Sequence, residues 1–564
     1  MQEINLKKKG SQIIVESLIK ENVEYMFGYP GGVVIPIFHE LYHAPIKFIL
    51  SRHEQGAIHA ADGYARASGK PGVVLATSGP GATNLITGIA TAHLDSVPLV
   101  VFTGQVSTNM IGNDAFQEVD VTGITRPISK HNYLVQDIKD LARIIKEAFY
   151  IATTGRPGPV VIDVPVDISN GMHKFEYPES ISMRSYKPTY EGHPGQIVKA
   201  CKLIESSSRP VIYAGGGVII SEASEELREF AKKTGIPVTT TLLGMGAYPE
   251  TDPLSLEMLG MHGTYFANYA VHHSDLLIAI GARFDDRVTG KISEFIPHAK
   301  VIHIDIDPAS VSKNVLVDVP IVGDCKKVLK EMIKEVKAPS IDEWVSEVKK
   351  VKKENPLQYE DSTEEIKPQY VIEQLYKETK GKAVITTEVG QNQMWAAQFY
   401  KYTEPRTFIS SGGLGTMGFG LPAAIGAQFA RPDRRVIDIA GDGSIQMNVQ
   451  ELIVAAQHRL PIIVAILNNG FLGMVRQWQQ LFWDKRYSHT CINYAPDFVK
   501  LAEAYNCEGI RVTKKEDVIP AIKKALKITD KPIIIDFVVS KEENVYPMVP
   551  AGKTIKDTIM NELA

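Results

Sequence analysis

Cysteine is scarce in this sequence: Cys201, Cys325, Cys491 and Cys507 are the only four in 564 residues, and no two form a CxxC pair. That usage excludes a disulfide-stapled secreted framework and a structural zinc site, and it suits a reducing compartment. Long apolar runs are missing too. The hydrophobic stretches are strand-length, short of the ~20 residues a membrane helix needs. Met1 to Gly10 carries charge but no apolar core, so no signal peptide is expected. Nor does one sign of charge dominate. Lys and Arg number 61 against 65 Asp and Glu, a net charge of −4, which gives no basic field for nucleic acid. A cytoplasmic protein without membrane or nucleic-acid partners is expected. What is plentiful is core material, with 44% hydrophobic residues, and a length that predicts about three or four domains on a ~150-residue prior.

The chain reads as three α/β blocks, 1–182, 196–340 and 368–564. The first holds apolar, β-branched strands at Gly72–Thr77, Pro98–Thr103 and Pro159–Val164, the signature of parallel strands buried on both faces. Met183 to Gly195, with Pro188 and Pro194, reads as a linker. The second block holds Pro210–Ala214, Leu276–Gly281 and Lys300–Asp305. Glu343 to Lys367, rich in Lys and Glu, reads as a surface helix and connector. The third holds Ala383–Thr387, Thr407–Ser410, Arg435–Ala440, Pro461–Leu467 and Pro532–Val539. Strands alternating with helical stretches predict right-handed βαβ units, hence three doubly wound parallel-sheet domains of the α/β class.

Chemistry concentrates in the third block. The strand Arg435–Ala440 runs into Gly441-Asp442-Gly443-Ser444, and the strand Pro461–Leu467 ends at Asn468-Asn469. A carboxylate and an amide oxygen are therefore expected at the ends of two neighbouring strands. A small hard cation takes oxygen ligands and shares them with phosphates. Glycines let the backbone approach a ligand, and a helix opening after Ser444 would aim N–H groups at an anion. These features predict a magnesium-bridged diphosphate site at the carboxyl ends of a parallel sheet. The first block echoes the pattern: Gly79-Pro80-Gly81 follows a strand, and the next strand opens at Pro98 after an almost equal interval.

The Gly-Asp-Gly…Asn-Asn pattern resembles the signature of thiamine-diphosphate enzymes. Further segments narrow the resemblance to the catalytic large subunit of the acetolactate synthase (acetohydroxyacid synthase) family. They are Gly28-Tyr29-Pro30-Gly31-Gly32, Ala115-Phe116-Gln117-Glu118, Lys130–Leu134, Gly155–Pro159, Arg283–Lys291, Met417–Pro422 and Leu472–Trp478, spread in family order over nearly the whole chain. The resemblance implies that Asp442, Asn469 and the carbonyl of Phe471 ligate Mg²⁺. It assigns thiamine diphosphate to Gly390, Gln391, Asn392, Gly415, Gly441, Gly443, Ser444, Gly473 and Met474 at one end, and to Gly31, Gly32, Pro80 and Asn84 at the other. Ser51-Arg52-His53-Glu54 matches the segment of the catalytic glutamate, which shares a proton with the aminopyrimidine ring as a general acid/base. A zinc-protease HExxH is excluded there, because Ala57 stands where the second His would be. Met417 would support the cofactor from beneath, Gln117 would face the reacting centre, Arg287 would meet the acceptor carboxylate, and Trp478 would shape the acceptor pocket.

The same resemblance makes the middle block an FAD domain, with Arg156, Gly215, Gly216, Gly217, His262, Gly263, Thr264, Gly281, Arg283, Asp305 and Asp324 around a structural flavin. It implies decarboxylation of pyruvate and ligation to a second pyruvate or to 2-oxobutyrate, a homodimer or homotetramer, a separate regulatory small subunit, and a C-terminal lid on the third domain. Three positions depart from the family pattern. Asn392 and Phe471 stand where many members carry His, and Ser107 where Pro is frequent. The neighbouring readings are a glyoxylate carboligase, which lacks the equivalent of Glu54, and a pyruvate oxidase. A non-catalytic flavin-binding regulator is the reading from another class.

Overall fold

A computed structural model describes residues 7–560. The charged start therefore lies outside the described residues as far as position 6, and the third block ends outside them at 561–564. Three six-stranded sheets form the molecule. In spatial order the first comprises Lys47–Leu50, Tyr25–Gly28, Gly72–Ala76, Leu99–Gln105, Val160–Pro165 and His131–Leu134. The last comprises Phe408–Ile409, Val384–Thr387, Val436–Gly441, Ile463–Asn468, Ile533–Val538 and Glu508–Val512. Numbered along the chain, both sheets have the order 2-1-3-4-6-5. The middle sheet runs Ser255–Met258, Val238–Thr240, Pro210–Ala214, Leu276–Ile280, Lys300–Asp305 and Val319–Val322. Its order is 3-2-1-4-5-6, that of dinucleotide-binding folds. Every pairing in the three sheets is parallel, as the apolar runs predict.

Run length reveals the central strands and misses others. Tyr25–Gly28, Lys47–Leu50, His131–Leu134, Val238–Thr240, Ser255–Met258, Val319–Val322 and Glu508–Val512 sit at or next to sheet edges and are three to five residues long. A small antiparallel ribbon pairs Lys7–Lys9 with Met172–Lys174.

The echo between the outer blocks has a structural basis. Gly79-Pro80-Gly81 and Gly441-Asp442-Gly443 both follow the third strand of the same topology. The equivalence extends further, since the helices Glu54–Ser68 and Gly420–Ala430 each follow the second strand of their sheet. They pack against one another with their backbones nearly touching. A Cβ on Gly63 would lie 2.1 Å from the Ala423 carbonyl oxygen, and one on Gly426 would lie 1.8 Å from that of Ala60. The first and third units are thus joined within one chain by a reciprocal glycine contact.

Two connecting segments do more than connect. The helix Asp342–Glu354 buries Trp344 and Val348 one turn apart, and the Trp344 indole N–H donates to the Pro210 carbonyl at 3.1 Å. It is a surface helix, docked on the middle domain through these two side chains. The linker is anchored through Tyr186, whose hydroxyl receives the Lys130 ammonium at 2.8 Å and donates to the Thr154 carbonyl at 2.7 Å. Burial lowers the Lys130 pKa to about 7.

Candidate active site

Gly441 pairs with Leu467 in adjacent parallel strands, so the Asp442 loop and Asn468-Asn469 leave the sheet side by side. Asp442 is buried, and its Oδ2 accepts the Gly470 N–H at 3.0 Å. Burial pushes its pKa up to about 7, and backbone N–H groups pull against that rise. Asn469 Oδ1 accepts the Phe471 N–H at 3.0 Å, while its Nδ2 donates to Gln391 Oε1 at 3.3 Å. The segment after Gly443 is a 3₁₀ run, Ser444–Glu451, broken at Asn448 (φ −133°), not the regular helix that the pattern suggests. Asn448 Nδ2 instead donates to the Gly418 carbonyl at 2.7 Å.

Gly390 (φ +153°) heads the helix Gln391–Phe399. Both side chains after it are engaged within the protein. Asn392 Nδ2 donates to the carbonyls of Glu388 (3.1 Å) and Ile439 (2.8 Å). Gln391 Nε2 donates to Gln477 Oε1 and to the Glu543 carbonyl, both at 2.9 Å. Asn392 thus ties two neighbouring strands of the sheet together, and Gln391 ties its helix to the helix Gly473–Phe482 and to the C-terminal segment. Backbone N–H groups at the start of the helix remain the donors suited to an anion.

The loop carrying Gly415 and Met417 is held at both ends by buried carboxylates. Asp95, from the first domain, accepts Gly413 N–H at 2.7 Å and Gly412 N–H at 3.1 Å. It also pairs with Arg66 at 2.8 Å, and Arg66 pairs in turn with Asp62 at 2.6 Å. Glu388 accepts Gly418 N–H at 2.6 Å and Leu421 N–H at 3.2 Å. Burial pushes Glu388 up, with backbone N–H groups pulling against the rise, and burial together with the Glu388 charge pushes its neighbour Asp438 well up.

Above this loop opens a cavity of about 630 Å³. Gly390, Gly415, Met417, Met474, Trp478 and Arg287 line it, and so do Arg156, Gly216, Gly217, His262, Gly281, Arg283, Asp305 and Asp324. The glycines lie where the middle sheet reverses its order, after its first and fourth strands. A Cβ on Gly217 would lie 2.7 Å from Gly281 Cα. Arg287 is exposed at the rim and only loosely paired with Asp286 at 3.6 Å, while its N–H is capped by Asp285 at 3.0 Å. Burial lowers His262 to about 4, so it is neutral near pH 7. Gly215 lies behind the wall, hydrogen-bonded to Ile280 at 2.9 Å. Gly263 and Thr264 do not line the cavity: Gly263 packs on Leu259, and Thr264 caps the helix Tyr265–His272. Tyr190, which the linker reading passes over, does line it; its hydroxyl accepts Gly155 N–H at 3.3 Å, and its carbonyl accepts Asp324 N–H at 2.8 Å. Its only signal in the sequence is a tyrosine pair, Tyr186 and Tyr190, in an otherwise polar linker.

Glu54 stands elsewhere. It is buried in the first turn of its helix, and Asn84 Nδ2 donates to its Oε2 at 2.9 Å. Gly81 and Gly31 both pack on Thr77 beside it, and Gln117 (φ +58°) lays its backbone against Gly79. Around this cluster Phe116 is 87% exposed, Met110 44% and Tyr29 39%. Glu54, Gly31, Gly32, Pro80, Asn84 and Gln117 are all absent from the cavity wall. Asp442, Asn469 and Phe471 do not line the cavity either, though Asn469 is hydrogen-bonded to Gln391, the neighbour of the wall residue Gly390. The predicted residues thus fall into the Glu54 cluster, the Asp442 cluster and the cavity wall.

Three family models match the chain. The thiamine pyrophosphate enzyme N-terminal TPP binding domain matches residues 8–124, the central domain 197–332, and the C-terminal TPP binding domain 388–537. The acetolactate synthase large subunit of Haemophilus influenzae is 49% identical over 565 residues, covering 99% of both chains. That of Buchnera aphidicola subsp. Schizaphis graminum is 51% identical, covering 96% of this chain and 97% of its own. The Escherichia coli isozyme 3 large subunit is 48% identical with the same coverage. The chain belongs to the acetolactate synthase large-subunit family. Its activity is that family's, a thiamine-diphosphate-dependent acetolactate synthesis in branched-chain amino-acid biosynthesis.

The donor chemistry suits the other groups associated with the family. Asp442, Asn469 Oδ1 and the Phe471 carbonyl offer only oxygens, the ligand type of Mg²⁺. A buried carboxylate whose pKa has been driven up by desolvation is one that a cation would re-ionise. Around one large cavity, the Gly216-Gly217 turn at the middle sheet's reversal point, with Arg283, Asp305 and Asp324 of the middle domain and Arg156 of the first, matches what a dinucleotide requires.

Proposed function

We propose that the protein condenses pyruvate with a second pyruvate or with 2-oxobutyrate in active sites each built from two copies of the chain, with Mg²⁺ and a non-redox FAD bound. The observation that carries this reading is the separation of Glu54 from the cavity that contains Met417, Arg287 and Trp478. Exposed Tyr29, Met110 and Phe116 around the Glu54 cluster are the kind of apolar surface a partner covers.

When bound, thiamine diphosphate supplies the electron sink that lets a 2-oxo acid lose CO₂. Glu54 would hold and pass a proton at the aminopyrimidine ring. Asp442, Asn469 and the Phe471 carbonyl would hold Mg²⁺. Met417 and Gly415 would form the floor beneath the cofactor, while Arg287 and Trp478 would receive the acceptor. Arg156, Arg283, Asp305 and Asp324 would bind FAD. A homodimer or homotetramer, a separate regulatory small subunit and a cytoplasmic location complete the reading. The large-subunit naming of the relatives supports the small subunit.

Mixing inactive Glu54→Gln chains with inactive Asp442→Ala chains should restore part of the activity once subunits exchange. No recovery in verified mixed dimers would show that each site is built within one chain. Incubation with pyruvate plus 2-oxobutyrate, omitting each cofactor in turn and measuring both products, tests the chemistry.

A further inference from the structure

Ser444–Glu451 starts at the Asp442 loop and ends on Glu451, a carboxylate that is 1% exposed and turned into the first domain of its own chain. Glu451 Oε1 accepts the N–H groups of Arg52 at 2.9 Å and His53 at 3.0 Å. These two residues immediately precede the helix on which Glu54 is the first residue. N–H groups at a helix start have no intrahelical partner, so whatever accepts them fixes how the chain enters the helix. Gly56 permits the approach, since a Cβ there would lie 2.4 Å from Glu451 Oε1. A second tie follows, from Arg52 Nη2 to Gln457 Oε1 at 2.9 Å, on the helix Leu452–Gln457. Midway along the same segment Asn448 holds Gly418, next to Met417. One short run of backbone thus spans from the Asp442 loop, past the Met417 loop, to the foot of the Glu54 helix.

We propose that Glu451 is a positioning residue for Glu54. It touches no substrate or cofactor, and it sets the end of the helix from which Glu54 enters the active site completed by a second copy of the chain. The proposal rests on the two-chain reading above. It has an unusual corollary. Glu451 lies on the segment that begins with its own chain's diphosphate loop, yet its loss damages chiefly the other site of the dimer. A residue that merely glues two domains together would damage both alike.

Two variants separate geometry from charge. Glu451→Gln keeps the Oε1 acceptor for both N–H groups, whereas Glu451→Leu removes it. In cofactor-free protein, hydrogen exchange at the amides of Arg52 and His53 should be close to parental in Glu451→Gln and much faster in Glu451→Leu. Equal protection in Glu451→Leu overturns the proposal without reference to activity. The second arm uses mixed dimers with one competent site, built from an Asp442→Ala chain that supplies Glu54 and a Glu54→Gln chain that supplies Asp442. Glu451→Leu placed on the Asp442→Ala chain should lower kcat on the order of 10²-fold, the scale of an ångström-level misplacement, with KM for pyruvate little moved. Placed on the Glu54→Gln chain it should cost far less. Equal losses from the two placements, or the larger loss from the second, overturn the assignment. An inactive parent mixed dimer would instead refute the two-chain site, and the trans role of Glu451 with it, while the exchange measurement still reports whether Glu451 holds the helix start.

Discussion

Replacing Asp95 by Ala should loosen the loop that carries Met417 and weaken the contact between the outer domains. Asp95 has no exposed side-chain surface and accepts three hydrogen bonds, from Gly412, Gly413 and Arg66. Removing one partner of a buried ion pair typically costs ~3–5 kcal/mol. Two features of the site reduce that figure. Arg66 retains Asp62 at 2.6 Å and the Ser410 carbonyl at 2.9 Å, so its charge is not orphaned. Gly412 is exposed, so water can replace one of the lost bonds. What remains is one charge-assisted bond to Arg66 and one N–H acceptor at Gly413, about 2–3 kcal/mol in total. A urea titration of the holoenzyme reads this as a lower midpoint at unchanged slope. Hydrogen exchange should rise at residues 411–416 ahead of the rest of the third domain. Asp95→Asn keeps an acceptor for Gly413 but turns an amide towards Arg66, and should fall between the parent and Asp95→Ala. A destabilisation below about 0.5 kcal/mol, the size of an ordinary surface substitution, or unaltered exchange in the loop, would refute the clamp.

Acceptor recognition should divide between charge and shape. Truncating Arg287, which is exposed at the rim, should weaken pyruvate and 2-oxobutyrate as acceptors by similar factors, worth up to about 1 kcal/mol for an exposed charge pair. Trp478→Leu should lower the preference for 2-oxobutyrate by roughly 10–200-fold, the value of one methylene in an apolar pocket; an unchanged product ratio in competition removes Trp478 from the pocket. His59 is fully buried and makes no hydrogen bond. Burial, aided by the Arg66 charge, lowers its pKa from 6.5 to about 3. The folded state therefore binds fewer protons than the unfolded state between those values. Stability is complete above pH 6.5 and falls with acidification at up to about 1.4 kcal/mol per pH unit, so His59→Leu should flatten the stability profile between pH 6 and 4. Chelation should abolish activity reversibly, and Asp442→Asn should raise the Mg²⁺ concentration needed for half-activity; an unchanged requirement would remove Asp442 from the metal.

The chemistry that could be read from the sequence lay where a strand pattern and a special residue coincide. Gly441-Asp442-Gly443 and Asn468-Asn469 each close an apolar strand, and their adjacency follows once the strands pair in parallel. The three-domain organisation was legible for the same reason, because doubly covered strands leave apolar runs. Most edge strands were not, being short and partly solvated; Phe408–Ile409, within the expected Thr407–Ser410, is the exception. The protein partners of the Asn392 and Gln391 amides were not legible, because type and spacing cannot say which distant carbonyl an N–H meets. The capping role of Thr264 was likewise unseen, because a helix cap and a ligand contact use the same hydroxyl. The clamps went unseen altogether. Asp95 meets Gly413 across 318 positions of sequence, and Glu451 meets Arg52 across 399. A lone acidic residue gives no local hint of a partner so distant; only the closing of one domain on another creates the interaction.

The helix Gly473–Phe482, which carries Met474 and Trp478, is settled from outside itself. Arg476 is fully buried, and its guanidinium donates to the Glu543 carbonyl at 2.7 Å and to Asn544 Oδ1 at 2.8 Å. Gln477 exchanges hydrogen bonds with the backbone of Val545. Beyond Val545 the chain crosses to the middle domain, where Val549 N–H meets the Met261 carbonyl at 2.8 Å and the Lys553 carbonyl accepts Lys291 N–H at 3.1 Å. During synthesis domains fold in order from the N-terminus, so the first and middle units can be complete while this helix still has a desolvated guanidinium without its acceptors. The cavity wall that carries Met474 and Trp478 is consequently set only when residues 543–545 dock against it. A chain ending before residue 543 would keep every strand of the three sheets yet lack the acceptors that set this helix, so the wall carrying Met474 and Trp478 depends on the last stretch of the polypeptide.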